Sequence, residues 1–174
     1  MRGKRTHKEV THFTKTERSK IYKTKRNKVK NSVDVYSIPK GKKKIGEREK
    51  IIIEYLRKIS RELYCTALAD YVGIRKVGRT ETKFRASGKY KSTIAALNLE
   101  EVLINATYIK PVPKKKNVKA QKIFKQLHIL ACFIEGVGYA KILIGEVDDE
   151  HYDPANTRLT HYCITQMSVE EIKK

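Results

Sequence analysis

Between Leu127 and Thr165 the chain reads as three short apolar runs, LHILACFI, YAKILIGEV and RLTHYCIT, separated by EGVG and by the acidic stretch DDEHYDPANT. Runs of this length, rich in Ile, Leu, Val, Tyr and Phe and broken by Gly or by Asp, Pro and Asn, specify strands joined by turns. The stretch predicts an antiparallel β-meander that the remaining residues must cover. Alternation along the first run places His128, Leu130, Cys132 and Ile134 on one face and Leu127, Ile129, Ala131 and Phe133 on the other. With both faces apolar, this is a central strand. The acidic residues Asp148, Asp149, Glu150 and Asp153 lack the fixed ligand spacing of a cation-binding loop, so they predict a polar hairpin tip.

Upstream, Ile52, Tyr55, Leu56, Ile59 and Leu63 recur at helical spacing from Glu47 onward, which predicts a helix ending near Tyr64. TALADYVGIRKVG continues as a further helical turn stopping at Gly73. ALADYVGI also has the look of the first helix of a helix-turn-helix reader, but that reader needs a second helix directly after it. The next residues, RKVGRTETKFRASG, suit a strand or hairpin better. Ser92 to Leu97 predicts a short turn or helix, and Asn98 followed by Glu101 predicts a capping box opening another helix. Pro111 and Pro113 then forbid helix and introduce a lysine-rich stretch. The expected class is α+β, with helices packed against one antiparallel sheet in a single domain spanning residues 46–174.

Residues 1–50 carry 18 Lys/Arg against 5 Asp/Glu, within a chain of formal net charge +20. Residues 1–45 hold too few apolar side chains to offset chain entropy, which predicts a basic, disordered arm, with His7 and His12 as solvated polar residues. Such charge implies a polyanionic partner, because each neutralised phosphate releases counterions. The lysines expected to grip phosphates are Lys42, Lys43 and Lys44 in the arm and Lys114, Lys115, Lys116, Lys119 and Lys122 before the meander. No apolar run is long enough to span a bilayer and no hydrophobic leader core is visible, so the expectation is a cytoplasmic protein without a membrane partner. Cys65, Cys132 and Cys163 show no metal-ligand spacing and read as buried free thiols, the alternative being a zinc site assembled from distant residues. Neither metal nor cofactor is expected.

From about Gly73 to Ser168 the order of pieces resembles the third type of large polyvalent protein-associated domain of phage and mobile elements. The residues that carry it are the V-G-I segment, K-S-T before a helical region, LEEVLINA, the lysine-rich loop, and final strands holding a Y-D and an H-Y pair. The order is also similar to the barnase–EndoU–colicin–RelE group of ribonucleases. That resemblance implies metal-independent RNA cleavage, in which the ribose 2′-hydroxyl attacks the neighbouring phosphate; the expected partner is nucleic acid, RNA ahead of DNA, with an inhibitor protein as a further candidate. The chemistry needs a base, an acid and a cation. His128 and His161 are the acid/base candidates, Arg158, Lys91 and Lys141 the phosphate clamps, and Thr160, Tyr139 and Tyr162 the hydrogen-bond donors. The alternative is a non-catalytic nucleic-acid-binding or phage structural protein that holds phosphates with its arm. Geometry separates these readings: His128 or His161 in an open cleft within reach of Arg158 or Lys91 supports catalysis, and two histidines buried toward the core remove it.

Overall fold

The computed structural model describes residues 12–174. Among them the elements run α1 (Lys15–Lys23), α2 (Ile45–Lys58), β1 (Glu62–Cys65), β2 (Asp70–Gly73), α3 (Lys76–Ala86), α4 (Tyr90–Ala96), α5 (Leu99–Asn105), β3 (Thr107–Val112), β4 (Phe124–Ile134), β5 (Gly138–Val147), β6 (Leu159–Met167) and α6 (Val169–Lys173). The class is α+β, and β4, β5 and β6 form the expected antiparallel meander. The sheet as a whole is mixed. Its order is β1-β2-β6-β5-β4-β3, and β2 runs parallel to β6 through Val72↔Leu159 and Gly73↔Thr160. This corrects the all-antiparallel expectation: the α3–α5 crossover returns the chain to the far side of the meander, a connection that parallel pairing requires.

Both faces of the sheet are covered. Leu130, Cys132, Ile134, Ala140, Ile142 and Ile144 point to an inner core shared with Ile52 and Leu56 of α2, Ile94 of α4 and Leu99, Val102 and Leu103 of α5. On the opposite face Ile109, Ile129, Ala131, Tyr139 and Met167 pack against Phe13 and Ile21, from and beside α1, and Ile172 of α6. Each fully buried Leu, Ile, Val or Met among them stabilises the fold by about 1.5–3 kcal/mol. Residues 12–45, expected as a flexible arm, are therefore a folded strap. Thr14 caps α1 in a reciprocal capping box with Glu17, Val29 bridges the end of β4 by two backbone bonds of 2.8 Å, and Val33, Val35 and Ile38 enter the inner core. Residues 1–11 of the expected arm, with His7, lie outside the described residues.

Several local expectations change for identifiable reasons. Helix α2 ends at Lys58 rather than near Tyr64, because Ile59 turns extended and Leu63 and Cys65 alternate inward on a strand. Ala69, at φ 51°, turns the chain into β2, so ALADYVGI is a hairpin rather than a helix and no helix-turn-helix forms. The segment expected as strand or hairpin is α3. Its Gly78, Thr82 and Ala86 recur every four residues and are buried, which lets this helix lie against β6. Asn98 precedes α5 without capping it. Its amide donates to Ile94 O and Asn31 Oδ1, and its oxygen accepts from Ser32, tying the strap to the α4–α5 corner.

The approach of α3 to β6 depends on one residue. A Cβ at Gly78 would stand 2.0 Å from the carbonyl oxygen of His161 and 3.3 Å from its ring. Two backbones would have to separate, so Gly78→Ala is expected to destabilise the protein by about 2 kcal/mol, within the usual cost of overpacking. Urea denaturation measures this, and a change below about 0.5 kcal/mol, the range of neutral surface substitutions, would contradict it.

Candidate active site

The meander register decides which polar side chains meet. His128 of β4 and His161 of β6 are both register partners of Ile144 on β5, so they occupy one rung and one face with a strand between them. That leaves roughly 9.5 Å between their strand axes. Their surroundings differ completely. His161 is fully buried beneath α3, with Nε2 2.8 Å from the Thr82 hydroxyl and Nδ1 unpartnered. Burial pushes its pKa down to about 3. His161 is a neutral core residue with no route to a substrate in this conformation.

His128 is held differently. Its Nε2 lies 3.1 Å from Glu146 Oε2 on β5, and its Nδ1 lies 2.9 Å from the hydroxyl of Tyr108 on β3. Gln126, two residues before His128 and paired with Glu146 in register, donates to the same carboxylate oxygen at 2.8 Å. The Gln126 amide first, then His128 and the charge of Lys125, hold the Glu146 carboxyl below its usual range despite partial burial. An ionised carboxylate only accepts, so Nε2 carries the proton and, in neutral His128, Nδ1 accepts from the Tyr108 O–H. The His128 side chain is 12% exposed and that of Glu146 25%, which keeps the relay within reach of solvent. Burial and the Glu146 charge raise the Tyr108 pKa, so its hydroxyl keeps its proton.

The remaining expected catalytic residues do not converge on this relay. Arg158 donates to Val147 O at 3.1 Å and Asp149 Oδ1 at 2.9 Å while stacking 3.8 Å from the Tyr152 ring centre, which closes the β5–β6 connection. Thr160 is buried opposite Gly145 on the other sheet face, away from both histidines. Tyr162 is displaced from its expected alternation by a bulge: Leu143 pairs with Cys163 and Ile144 with His161, leaving Tyr162 as the extra residue. Its ring packs on Phe124 and its hydroxyl accepts from the buried Gln121 amide. Tyr139 is buried between Tyr22 and Phe133. Lys91 is exposed on the first turn of α4.

Among the expected phosphate contacts, Lys141 is half-buried and lies 3.4 Å from Glu171 of α6, so it serves the packing of that helix. Lys42 and Lys43 are exposed, and Lys44 lies 3.1 Å from Glu47. In the β3–β4 connection Lys115, Lys116, Lys119 and Lys122 are exposed, while the Lys114 ammonium donates to Lys122 O at 3.4 Å. That connection is folded, since Gln121 Oε1 accepts from Lys115 N at 2.7 Å. The strap adds a cationic face on α1 and the turn after it, where Lys15, Arg18, Lys23 and Arg26 surround a shallow depression of about 430 Å³.

All three cysteines are free and buried, and burial raises each thiol pKa, that of Cys132 to about 12. Asp148, Glu150 and His151 bring ligand atoms within 4.8 Å of one another on an exposed turn. There Asp148 accepts from both the backbone N and Nδ1 of His151, which is the bonding of a polar hairpin tip. No helix among the described residues is long and apolar enough to cross a membrane. Compared with protein-family models, curated proteins and solved structures, the chain matches none.

The burial of His161 has a measurable consequence. The unfolded chain takes up a proton on this residue near pH 6.5 while the folded protein leaves it neutral down to about pH 3. Unfolding binds a proton in that window, so stability is full above it and falls as pH drops through it, by at most about 1.4 kcal/mol per pH unit. His161→Gln is expected to remove this slope between pH 6 and 4. Equal slopes in chemical denaturation of the two proteins would contradict the assignment.

Proposed function

We propose that the protein acts on RNA as a metal-independent endoribonuclease, with Tyr108, His128 and Glu146 as its proton-transfer relay and the surface lysines holding the phosphate chain. The observation that carries this reading is the relay itself, a histidine bonded on one nitrogen to an ionised carboxylate and on the other to a hydroxyl, partly open to solvent. The 2′-hydroxyl proton passes to Nδ1 through the Tyr108 hydroxyl, which accepts it while donating its own; the 2′-oxygen bonds to phosphorus, the P–O5′ bond breaks, and the departing 5′-oxygen takes its proton from solvent. Glu146 stabilises the resulting imidazolium, as a carboxylate does for a catalytic histidine. Lys125, whose charge is felt at Glu146, supplies positive potential where the phosphate gains charge. The reading extends the resemblance to the barnase–EndoU–colicin–RelE nucleases and to domains of phage and mobile elements, with an inhibitor protein as the expected counterpart.

A second reading, a binding protein without catalysis, is favoured by the engagement of His161, Arg158 and Lys141 in packing. Incubation with mixed RNA in EDTA decides between them. Cleavage with 2′,3′-cyclic phosphate ends supports the first. Intact RNA retained with a steep salt dependence supports the second.

A further inference from the structure

The β1–β2 hairpin places two tyrosines side by side on its solvent face. Tyr64 and Tyr71 are register partners, 45% and 52% exposed, with ring centres 5.3 Å apart at 68°. Their neighbours on the core face, Leu63, Val72 and Cys65, are packed into the inner cluster, which anchors the hairpin. Two residues along the same solvent face is the next pair, Glu62↔Gly73. That step is about 6.7 Å.

Glu62 and Gly73 belong to the wall of a cleft of about 580 Å³ lined also by Arg61, Arg75, Lys76 and Arg79. Four cations face a single carboxylate there. Their mutual repulsion is relieved when an anion enters. Two of the arginines are already oriented: Arg75 Nη2 donates to Thr157 O at 2.9 Å, and Arg79 Nη1 donates to Ile74 O at 3.2 Å. A guanidinium has five N–H donors, so each keeps a free edge for phosphate. A Cβ at Gly73 would lie 2.6 Å from Thr157 Oγ1 and 3.2 Å from Arg75 Nε, so glycine is what lets that wall form. Helix α3 opens at the cleft with no acidic residue in its first turn and no side-chain cap, which adds its positive end to the same field.

We propose that the hairpin face and this cleft form one subsite for single-stranded nucleic acid, with a base stacked on the Tyr64–Tyr71 pair and the adjoining phosphate held by Arg61, Arg75 and Arg79. An aromatic surface beside an arginine cleft at this spacing suits one nucleotide, since stacking accepts any base and the arginines fix the backbone. The subsite rests on the nucleic-acid partner proposed above but not on cleavage.

The test is fluorescence anisotropy with a short labelled oligothymidylate, which has no 2′-hydroxyl to react, beside a sugar–phosphate oligomer of equal length lacking bases and an oligouridylate bound to the His128→Ala protein. The native protein is expected to bind oligothymidylate, and the His128→Ala protein oligouridylate, about tenfold more tightly than the abasic oligomer, the size of one stacked base. Tyr64→Ala/Tyr71→Ala, both at exposed positions, should erase that difference and leave abasic binding unchanged. Arg61→Gln/Arg79→Gln should weaken binding of all three and lower the salt slope by about one. Equal binding of base-bearing and abasic oligomers by the native protein, or an unaltered salt slope in the arginine variant, would overturn the subsite. Binding that follows this pattern without RNA cleavage sinks the ribonuclease reading alone, and RNA cleavage by a protein whose binding ignores these substitutions sinks the subsite alone.

Discussion

His128→Ala is expected, on the ribonuclease activity proposed above, to lower the rate of RNA cleavage by about 10²–10⁴, the contribution of a positioned acid/base group. The relay explains the size. Nδ1 is the basic lone pair of the cluster, and the 3.1 Å bond from Nε2 to Glu146 orients the ring and stabilises its protonated form. Glu146→Gln keeps the shape but removes the charge, so it should cost a large part of the same factor. Tyr108→Phe leaves Nδ1 without the hydroxyl 2.9 Å away and should slow cleavage while the fold persists. His161→Gln is the contrasting case. It lies beneath α3 and should change stability and its pH dependence without changing the rate. Single-turnover cleavage of a defined RNA measures all four. Full activity in His128→Ala, or loss confined to His161→Gln, would remove the relay as the centre.

The second large effect is on the fold. Arg48 of α2 is buried to 1% exposure, and its guanidinium donates to Ser87 O at 2.7 Å, Pro39 O at 3.0 Å and Gly41 O at 2.7 Å. The three carbonyls belong to the strap and to the α3–α4 corner, so one side chain fastens both to α2. Arg48→Ala removes the desolvated charge but leaves those carbonyls short of donors and opens space beneath them. We expect a loss of about 3 kcal/mol, given ~1–3 kcal/mol for each buried group left unsatisfied and some recovery of water by the half-exposed ones. For a domain of this size that is on the order of 10 °C in melting temperature. Hydrogen exchange should show residues 33–41 losing protection first. A shift of only 2–3 °C, under about 1 kcal/mol, would mean that the strap does not depend on Arg48.

Of the candidate relay, alternation along the meander singles out His128 alone, on the face of Leu130 and Cys132; Glu146 and Tyr108 are missed, because nothing in their local pattern marks them. What alternation could not show is register. Gln126 opposite Glu146, and Tyr108 within reach of His128, follow from how three strands are offset, and a shift of one residue would have separated them. The bulge at Tyr162 is equally invisible in RLTHYCIT, where strict alternation would have put Cys163 with His161. The arginine cleft was missed because Arg61, Arg75 and Arg79 sit among residues whose local pattern suggested helix and then strand.

The sequence by itself determined the meander, its glycine turn, the apolar character of both sheet faces and the excess of positive charge. These depend on side-chain periods and on turn residues such as Gly136 and Gly138, which take the positive φ values of 80° and 110° at the β4–β5 turn. Only the tertiary structure decided that residues 12–45 form a strap, that α3 replaces an expected strand, and that one histidine is sealed in the core while the other stays open. A basic segment with scattered apolar residues folds only if a surface elsewhere accepts Phe13, Ile21 and Val29, and that surface exists only once distant strands have paired. Likewise Gly78 disfavours both helix and strand, Thr82 favours strand and Ala86 favours helix, so local preference conflicts and contact with β6 settles the choice.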